Sequence, residues 1–264
     1  MVTHGNGPQV GAQLLRSEAG SSQTYTLPLD VCVAMTQGEI GYILQTSLQS
    51  LLKNKNTPVA GLVTQVIVDK KDEAFLKPTK PIGPFYSKEA AQKKRDELGW
   101  DIVEDAARGY RRVVPSPKPL GIIELDIIKD CLDKGIIVIA SGGGGIPVSI
   151  ENGTIVGVEA VIDKDRASAL LAGKLGIEKF IISTEVEQVY LNFKKPDQKA
   201  IRKVSLVEIK QYLAAGHFLE GSMKPKIEAA IDFLDGGGME VLITDPGHLV
   251  DALDGKTGTH IIGR

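Results

Sequence analysis

Residues 136–148 read IIVIASGGGGIPV, and the fold turns on them. The run 136–140 is short, continuous and β-branched, as strands buried on both faces of a parallel sheet tend to be. Ser141 and the glycines Gly142, Gly143, Gly144 and Gly145 stand at its carboxyl end. Consecutive glycines cost backbone entropy, and the rigid Ile146-Pro147 pair follows at once. A flexible connector fits that pattern less well than a loop whose N–H groups wrap a small anion.

Working outward, residues 59–68 (VAGLVTQVIV), 180–183 and 241–244 repeat the buried-strand pattern. Helical patterns lie between them. Ile40, Leu44, Leu48, Leu51 and Leu52 line one face of a long early helix, and 124–132 and 167–175 fall at βαβ spacing. Ser205 and Glu208 form a capping box before 209–214, and a helix over 226–234 stops at Gly236-Gly237-Gly238. The alternation predicts an α/β fold with a mostly parallel sheet and helices on both faces. Glu151-Asn152-Gly153-Thr154 predicts a hairpin with a type I′ turn.

Residues 70–119 break the pattern. They are rich in lysine, proline and charge, and too long for a plain loop. They read as an inserted subdomain with a helix after Ser87 and a small core from Phe85, Trp100, Ile102 and Val103. The expected organisation is therefore a body of 1–69 and 120–264 and a protruding subdomain of 70–119.

Composition narrows the function. The 264 residues carry 31 basic and 33 acidic side chains, a net charge of -2, which gives no pull toward nucleic acid or an anionic membrane. No apolar run approaches the ~20 residues of a membrane span, and no signal sequence opens the chain. Cys32 and Cys131 sit in apolar helical patterns and read as buried reduced thiols. The four histidines are scattered, so no zinc-type cluster is expected. A cytoplasmic setting follows.

Three further stretches could carry chemistry. His4-Gly5-Asn6-Gly7-Pro8-Gln9-Val10-Gly11 is a Gly-rich turn opening a helix, a device for holding phosphate, although a plain strand–helix turn has the same look. Asp163-Lys164-Asp165 lies between a short β-pattern and a helix. Either aspartate is a natural N-cap, and a lysine held by carboxylates also suits charge neutralisation of a phosphoryl group. In residues 221–227, Lys226 falls in the first turn of a helix, where its charge opposes the dipole; an exposed lysine or a bound polyphosphate both account for it. Walker-A spacing occurs nowhere.

Taken together, HGNGPQVG (4–11), PLDVCVAMTQGEIGY (28–42), PTKPIGPF (78–85), VVPSPKP (113–119), SGGGGIPV (141–148), GVEAVIDKDRAS (157–168) and GHFLEGSMKPKIEAAI (216–231) closely resemble the carbamate kinases of the amino acid kinase superfamily. The resemblance implies an open αβα sandwich with a protruding subdomain, and a homodimer. It implies reversible phosphoryl transfer between ATP and carbamate, giving ADP and carbamoyl phosphate, with Mg²⁺ on the nucleotide and no protein-bound metal. The physiological direction would be ATP synthesis in arginine breakdown.

Roles carry over by position. Lys164 and Lys226 would neutralise the phosphoryl group in flight, and Asp165 would orient them. The backbones of Gly5, Asn6 and Gly7 and of Gly142, Gly143, Gly144 and Gly145 would cradle carbamate and phosphoryl ends. Lys80 would close over carbamoyl phosphate, and Tyr190 and Met223 would line the adenine pocket. Family members carry a strand, a Gly-Gly-Asn loop and a helix ahead of HGNGP that do not precede it here. With at most three strand residues before it, the 5–7 loop is expected to be poorly fixed and activity lowered. Two other readings fit part of the pattern: another amino acid kinase, and a non-catalytic nucleotide-binding or dimerisation module.

Overall fold

A computed structural model describes residues 1–105, 108–219 and 221–263, without the Asp105 side chain. The chain divides into two compact units, Met1–Ala167 and Ser168–Arg264.

The first unit opens with α1 (Gly7–Ala19), which has a proline in its first turn, and α2 (Leu29–Leu51). α2 buries Leu29, Cys32, Val33, Thr36, Gln37 and Gly41, a stripe at helical spacing. The face expected from the sequence is only half-buried at Ile40, Leu44, Leu48 and Leu52, and Leu51 is 80% exposed. The helix turns its polar Thr36 and Gln37 inward because both bond to the glycine loops, as described below.

A single strand over 59–68 is not found. β1 (Val59–Gly61) and β2 (Gln65–Ile67) are separated at residues 62–64. There the Thr64 N–H donates to Gln37 Oε1 at 2.8 Å, and the Thr64 hydroxyl donates to the Leu62 carbonyl at 2.9 Å. These bonds replace a ladder and turn the chain.

Next come β3 (Lys80–Tyr86), α3 (Lys88–Leu98), β4 (Ile102–Asp105) and β5 (Gly109–Val114). The strands form an antiparallel three-stranded sheet in the order β3-β5-β4. Ser87 caps α3, and Gly99 ends it at φ 65. The buried apolar residues here are Ile82, Ala91, Ile102, Val113 and Val114. Of the expected quartet only Ile102 is buried. Phe85 and Val103 are exposed, and Trp100 is covered by the Lys94 ammonium at 4.7 Å and the Arg112 guanidinium at 4.4 Å.

β6 (Gly121–Ile122), α4 (Leu125–Asp133), β7 (Ile137–Ile139), β8 (Ile146–Glu151) and β9 (Thr154–Gly157) follow. β7 is parallel to β1, and β8 is parallel to β2. β8 and β9 form the expected hairpin, with Asn152 at φ 50 and Gly153 at φ 81. α5 (Lys164–Lys174) starts three residues before the predicted 167, and residues 158–163 form no strand. Val10, Leu29, Val33, Ile146, Val148 and Val161 lie in the core of this unit.

The second unit contains β10 (Lys179–Ser183), β11 (Val189–Leu191), β12 (Lys199–Ile201), β13 (Lys203–Ser205), α6 (Leu206–Ala214), α7 (Met223–Asp235), β14 (Glu240–Thr244), α8 (Leu249–Leu253) and β15 (Thr259–Ile262). Its sheet runs β10-β14-β15-β13, with β10/β14 and β13/β15 parallel. The Ser205–Glu208 capping box is formed. Phe180 and Phe233 meet in the core at 5.6 Å. Cys32 is buried, while Cys131 is partly exposed; both are free thiols. Among the described residues, no helix is long and apolar enough to cross a membrane.

Candidate active site

The first unit gathers two glycine loops, the start of α5 and one lysine of β3. The loop before α1 is held at two points. Val2 bridges Ile139 of β7, with the Val2 N–H donating to Val138 O at 2.8 Å and the Ala140 N–H to Val2 O at 3.1 Å. The Gly143 N–H donates to His4 O at 2.8 Å. These backbone bonds tie the residues just ahead of the 5–7 loop to the strand and to the second loop.

The glycines of the second loop have a use that the sequence did not disclose. A Cβ on Gly142 would stand 2.2 Å from the His4 ring, and one on Gly143 would stand 2.1 Å from Asn6 Nδ2. The two loops interlock only because these positions lack side chains. Their N–H groups are also largely committed: those of Gly143, Gly144 and Gly145 donate to His4 O, Ser141 O and Gly142 O. The loop is thus a rigid wedge, with Gly142 as the remaining donor of the four.

Buried polar side chains fix this wedge. Gln37 Nε2 donates to Gly142 O at 2.9 Å, and the Ser141 N–H donates to Thr64 Oγ1 at 2.9 Å. Asn6 is buried and donates from Nδ2 to Thr36 Oγ1 at 2.9 Å, and the Thr36 hydroxyl donates to Val33 O. Gly7 begins α1, whose first turn holds no acidic residue, so its positive dipole end remains available to an anion.

Lys164 lies against the first loop: a Cβ on Gly5 would be 3.3 Å from Lys164 Cδ. Its ammonium meets Asp165 Oδ1 at 2.5 Å, and Asp165 is buried. Both residues occupy the first turn of α5 rather than a loop before it. Asp163 is the cap. Its Oδ1 accepts from the N–H groups of Asp165 at 3.0 Å and Arg166 at 3.3 Å. Its Oδ2 accepts from Lys80 Nζ at 2.9 Å, so one carboxylate joins β3 to the start of α5.

Burial pushes the Asp163 carboxyl up, but the Lys80 charge and bond, with the two helix N–H groups, outweigh it and hold it below the usual carboxylate range. The Lys80–Asp163 latch is thus complete above the ordinary carboxylate pKa, and opens only as pH falls through the depressed value. His4 is held below its ordinary value by burial, against a bond to Gly5 O, which keeps the ring neutral near pH 7.

The second unit has a cavity of about 470 Å³. Tyr190 and Phe193 line it as a tilted ring pair, 5.9 Å apart at 35°. Met223 and Lys226, from the first turns of α7, line it too, as does His217.

A profile of the amino acid kinase family matches residues 1–245. A carbamate kinase of Thermococcus kodakarensis is 51% identical over 99% of this chain and 84% of its own length. Carbamate kinase 2 of Enterococcus faecalis is 48% identical over 99% of this chain and 85% of its own. The solved structure of Giardia lamblia carbamate kinase bound to AMP-PNP superimposes with a TM-score of 0.91, at 45% identity over 98% of this chain and 83% of that one. The chain belongs to the carbamate kinases.

Against that family background, the sequence-derived site residues fall into two groups. Gly5, Asn6, Gly7, the glycines 142–145, Lys80, Lys164 and Asp165 lie in the first unit, while Tyr190, Met223 and Lys226 line the cavity of the second. Sequence reading missed Gln37 and Thr64, which clamp the second loop, and Phe193 and His217 in the cavity. It left open which aspartate caps α5, and Asp163 does so.

Proposed function

We propose that this member of the carbamate kinases catalyses reversible phosphoryl transfer between ATP and carbamate, giving ADP and carbamoyl phosphate. The observation that carries the reading is Lys164, laid across Gly5 and gripped by Asp165 at the N-terminus of α5. In-line transfer between two oxygens asks for little covalent chemistry, so fixed positive charge and positioning supply the catalysis.

Lys164 neutralises charge on the phosphoryl oxygens, and buried Asp165 holds it in place. The start of α1 and the loop of Gly5, Asn6 and Gly7 orient the carbamate end. Lys80 closes on carbamoyl phosphate from β3. In the second unit, Tyr190, Phe193 and Met223 take the nucleobase, and Lys226 takes the phosphate end. A magnesium ion is proposed to be held by the nucleotide phosphates, where it would neutralise charge when bound. ATP synthesis in arginine breakdown, within the cytoplasm, is the setting proposed.

The test is a panel of phosphoryl acceptors supplied with ATP: carbamate, an N-acylated amino acid and a nucleoside monophosphate. ADP release with carbamate alone is expected. Release with either other acceptor in its place overturns the reading, as does no release.

Lys80 and Asp163 make a separable prediction. Lys80→Ala is expected to raise KM for carbamoyl phosphate by on the order of tenfold, the worth of one charge-assisted contact, with ADP affinity nearly unchanged. Asp163→Asn keeps an oxygen for the α5 N–H groups but loses the charge. It is expected to raise the same KM several-fold with little change in melting temperature. Titration calorimetry with ADP checks both; a large loss of ADP affinity contradicts the assignment.

We also propose a homodimer through the outer face of α2, where Val31, Met35, Tyr42 and Ile43 are exposed. Sedimentation equilibrium is expected to give twice the chain mass, and the pair Tyr42→Asp and Ile43→Asp to give monomer. A monomeric unmodified chain contradicts this.

A further inference from the structure

One residue that lines the cavity of the second unit, His217, ends a polar relay that the function above leaves unused. Asn192 Nδ2 donates to Asp197 Oδ2 at 2.5 Å. An ionised carboxylate only accepts, so this bond fixes which end of the Asn192 amide carries the hydrogens. The other end, Oδ1, faces His217 Nδ1 at 2.9 Å. That oxygen has no proton to give, so Nδ1 must carry one. In a neutral imidazole the proton on Nδ1 leaves Nε2 as a bare lone pair.

Nε2 has no partner among the described residues. Tyr212 packs edge-on against the ring at 5.8 Å and 85°, and the backbone N–H of His217 donates to Tyr212 O at 3.2 Å, which fixes the main chain that carries the ring. Asn192 itself sits at φ 51, a conformation that asparagine tolerates better than most residues. The ring is therefore oriented, its tautomer is set, and one acceptor is unspent in a cavity that it lines.

We propose that His217 makes this cavity selective for a nucleobase bearing an exocyclic amino group, the 6-amino purine, over its 6-oxo counterpart. The proposal rests on the nucleotide reading of the cavity. Tyr190 and Phe193 offer a π-face to the base, and Lys226 lines the same cavity on the side assigned to the phosphates, so His217 Nε2 is assigned to the base edge. An amino N–H donates to Nε2. A 6-oxo group sets an acceptor against an acceptor, with both left unpaired, and such mismatches discriminate strongly.

The test is calorimetric binding of ADP, IDP and 2′-deoxy-ADP to the full chain. The unmodified protein is expected to bind IDP on the order of tenfold more weakly than ADP, and 2′-deoxy-ADP within about twofold of ADP. His217→Phe keeps a ring against Tyr212 but no acceptor, and should bring the ADP-to-IDP ratio near one. Asn192→Gly suits the positive φ and frees the tautomer, and should narrow the ratio with the imidazole still present. Equal ADP and IDP affinity in the unmodified protein, with both weakened by Tyr190→Ala, overturns the selectivity and leaves the nucleotide cavity standing. Equal losses for 2′-deoxy-ADP and IDP overturn it too, since Nε2 would then read the sugar. Unchanged ADP affinity in both Tyr190→Ala and His217→Phe would instead overturn the nucleotide reading itself.

Discussion

Lys164→Met is expected to lower kcat for phosphoryl transfer by on the order of 10²–10³-fold while ADP affinity changes little. The size follows from where the ammonium is. Its stem lies on Gly5, where no side chain intervenes, and its charge is paired with a buried carboxylate one residue along the same helical turn. A cation fixed in this way meets the developing charge without reorganising, so its loss falls on the transition state more than on binding. Methionine keeps most of the stem and its packing, which separates charge from shape. Steady-state constants with carbamoyl phosphate and ADP, beside a calorimetric ADP titration, make the check. An unchanged kcat would return Lys164 to a structural role at the start of α5.

The second large effect is on folding. Gly144→Ala is expected to destabilise the chain by about 3–5 kcal/mol, summing a strained left-handed residue and an overpacked contact. Gly144 has φ +98, and a Cβ there would stand 2.3 Å from the Ile162 carbonyl oxygen. That oxygen is backbone and cannot swing aside. Ile162 directly precedes Asp163, so any relief moves the cap of α5 and with it Lys164. Against a whole-domain stability of roughly 5–15 kcal/mol, the loss is a large share. Gly173→Ala is the control: its φ is not positive, nothing lies within 4 Å of the added carbon, and it stands in α5. It should be neutral or slightly stabilising. Denaturant melts of both variants check the pair, and a Gly144→Ala protein as stable as the parent would show that the loop can relax.

The sequence made some features plain and hid others for physical reasons. Strand 137–139 and its glycine loop were legible because β-branched runs and four glycines are local signals. The β8–β9 hairpin and the capping box at Ser205 were legible for the same reason: a turn and a cap are made by neighbours in sequence. What the glycines do was not legible. Their freedom was read as serving a ligand, yet it serves first the close approach of His4 and Asn6, more than 130 residues away in the chain.

The break at 62–64 and the inward face of α2 share one hidden cause. Gln37 bonds to both Thr64 and Gly142, a tertiary arrangement that overrides the apolar period of the helix. The start of α5 was placed late because Asp163-Lys164-Asp165-Arg166 is uniformly polar, while its capping bonds become visible only in three dimensions. His217 carried no local signal at all, since its partner Asn192 is 25 residues away.

The central claim is transfer of a phosphoryl group from carbamoyl phosphate to ADP by this chain. Phosphorus NMR of the unmodified protein with carbamoyl phosphate, ADP and magnesium follows donor and acceptor in one sample. The account predicts that the carbamoyl phosphate resonance falls as the γ-phosphate resonance of ATP rises, one for one. Inorganic phosphate appearing in its place, or a carbamoyl phosphate signal that decays no faster than in buffer, would contradict it.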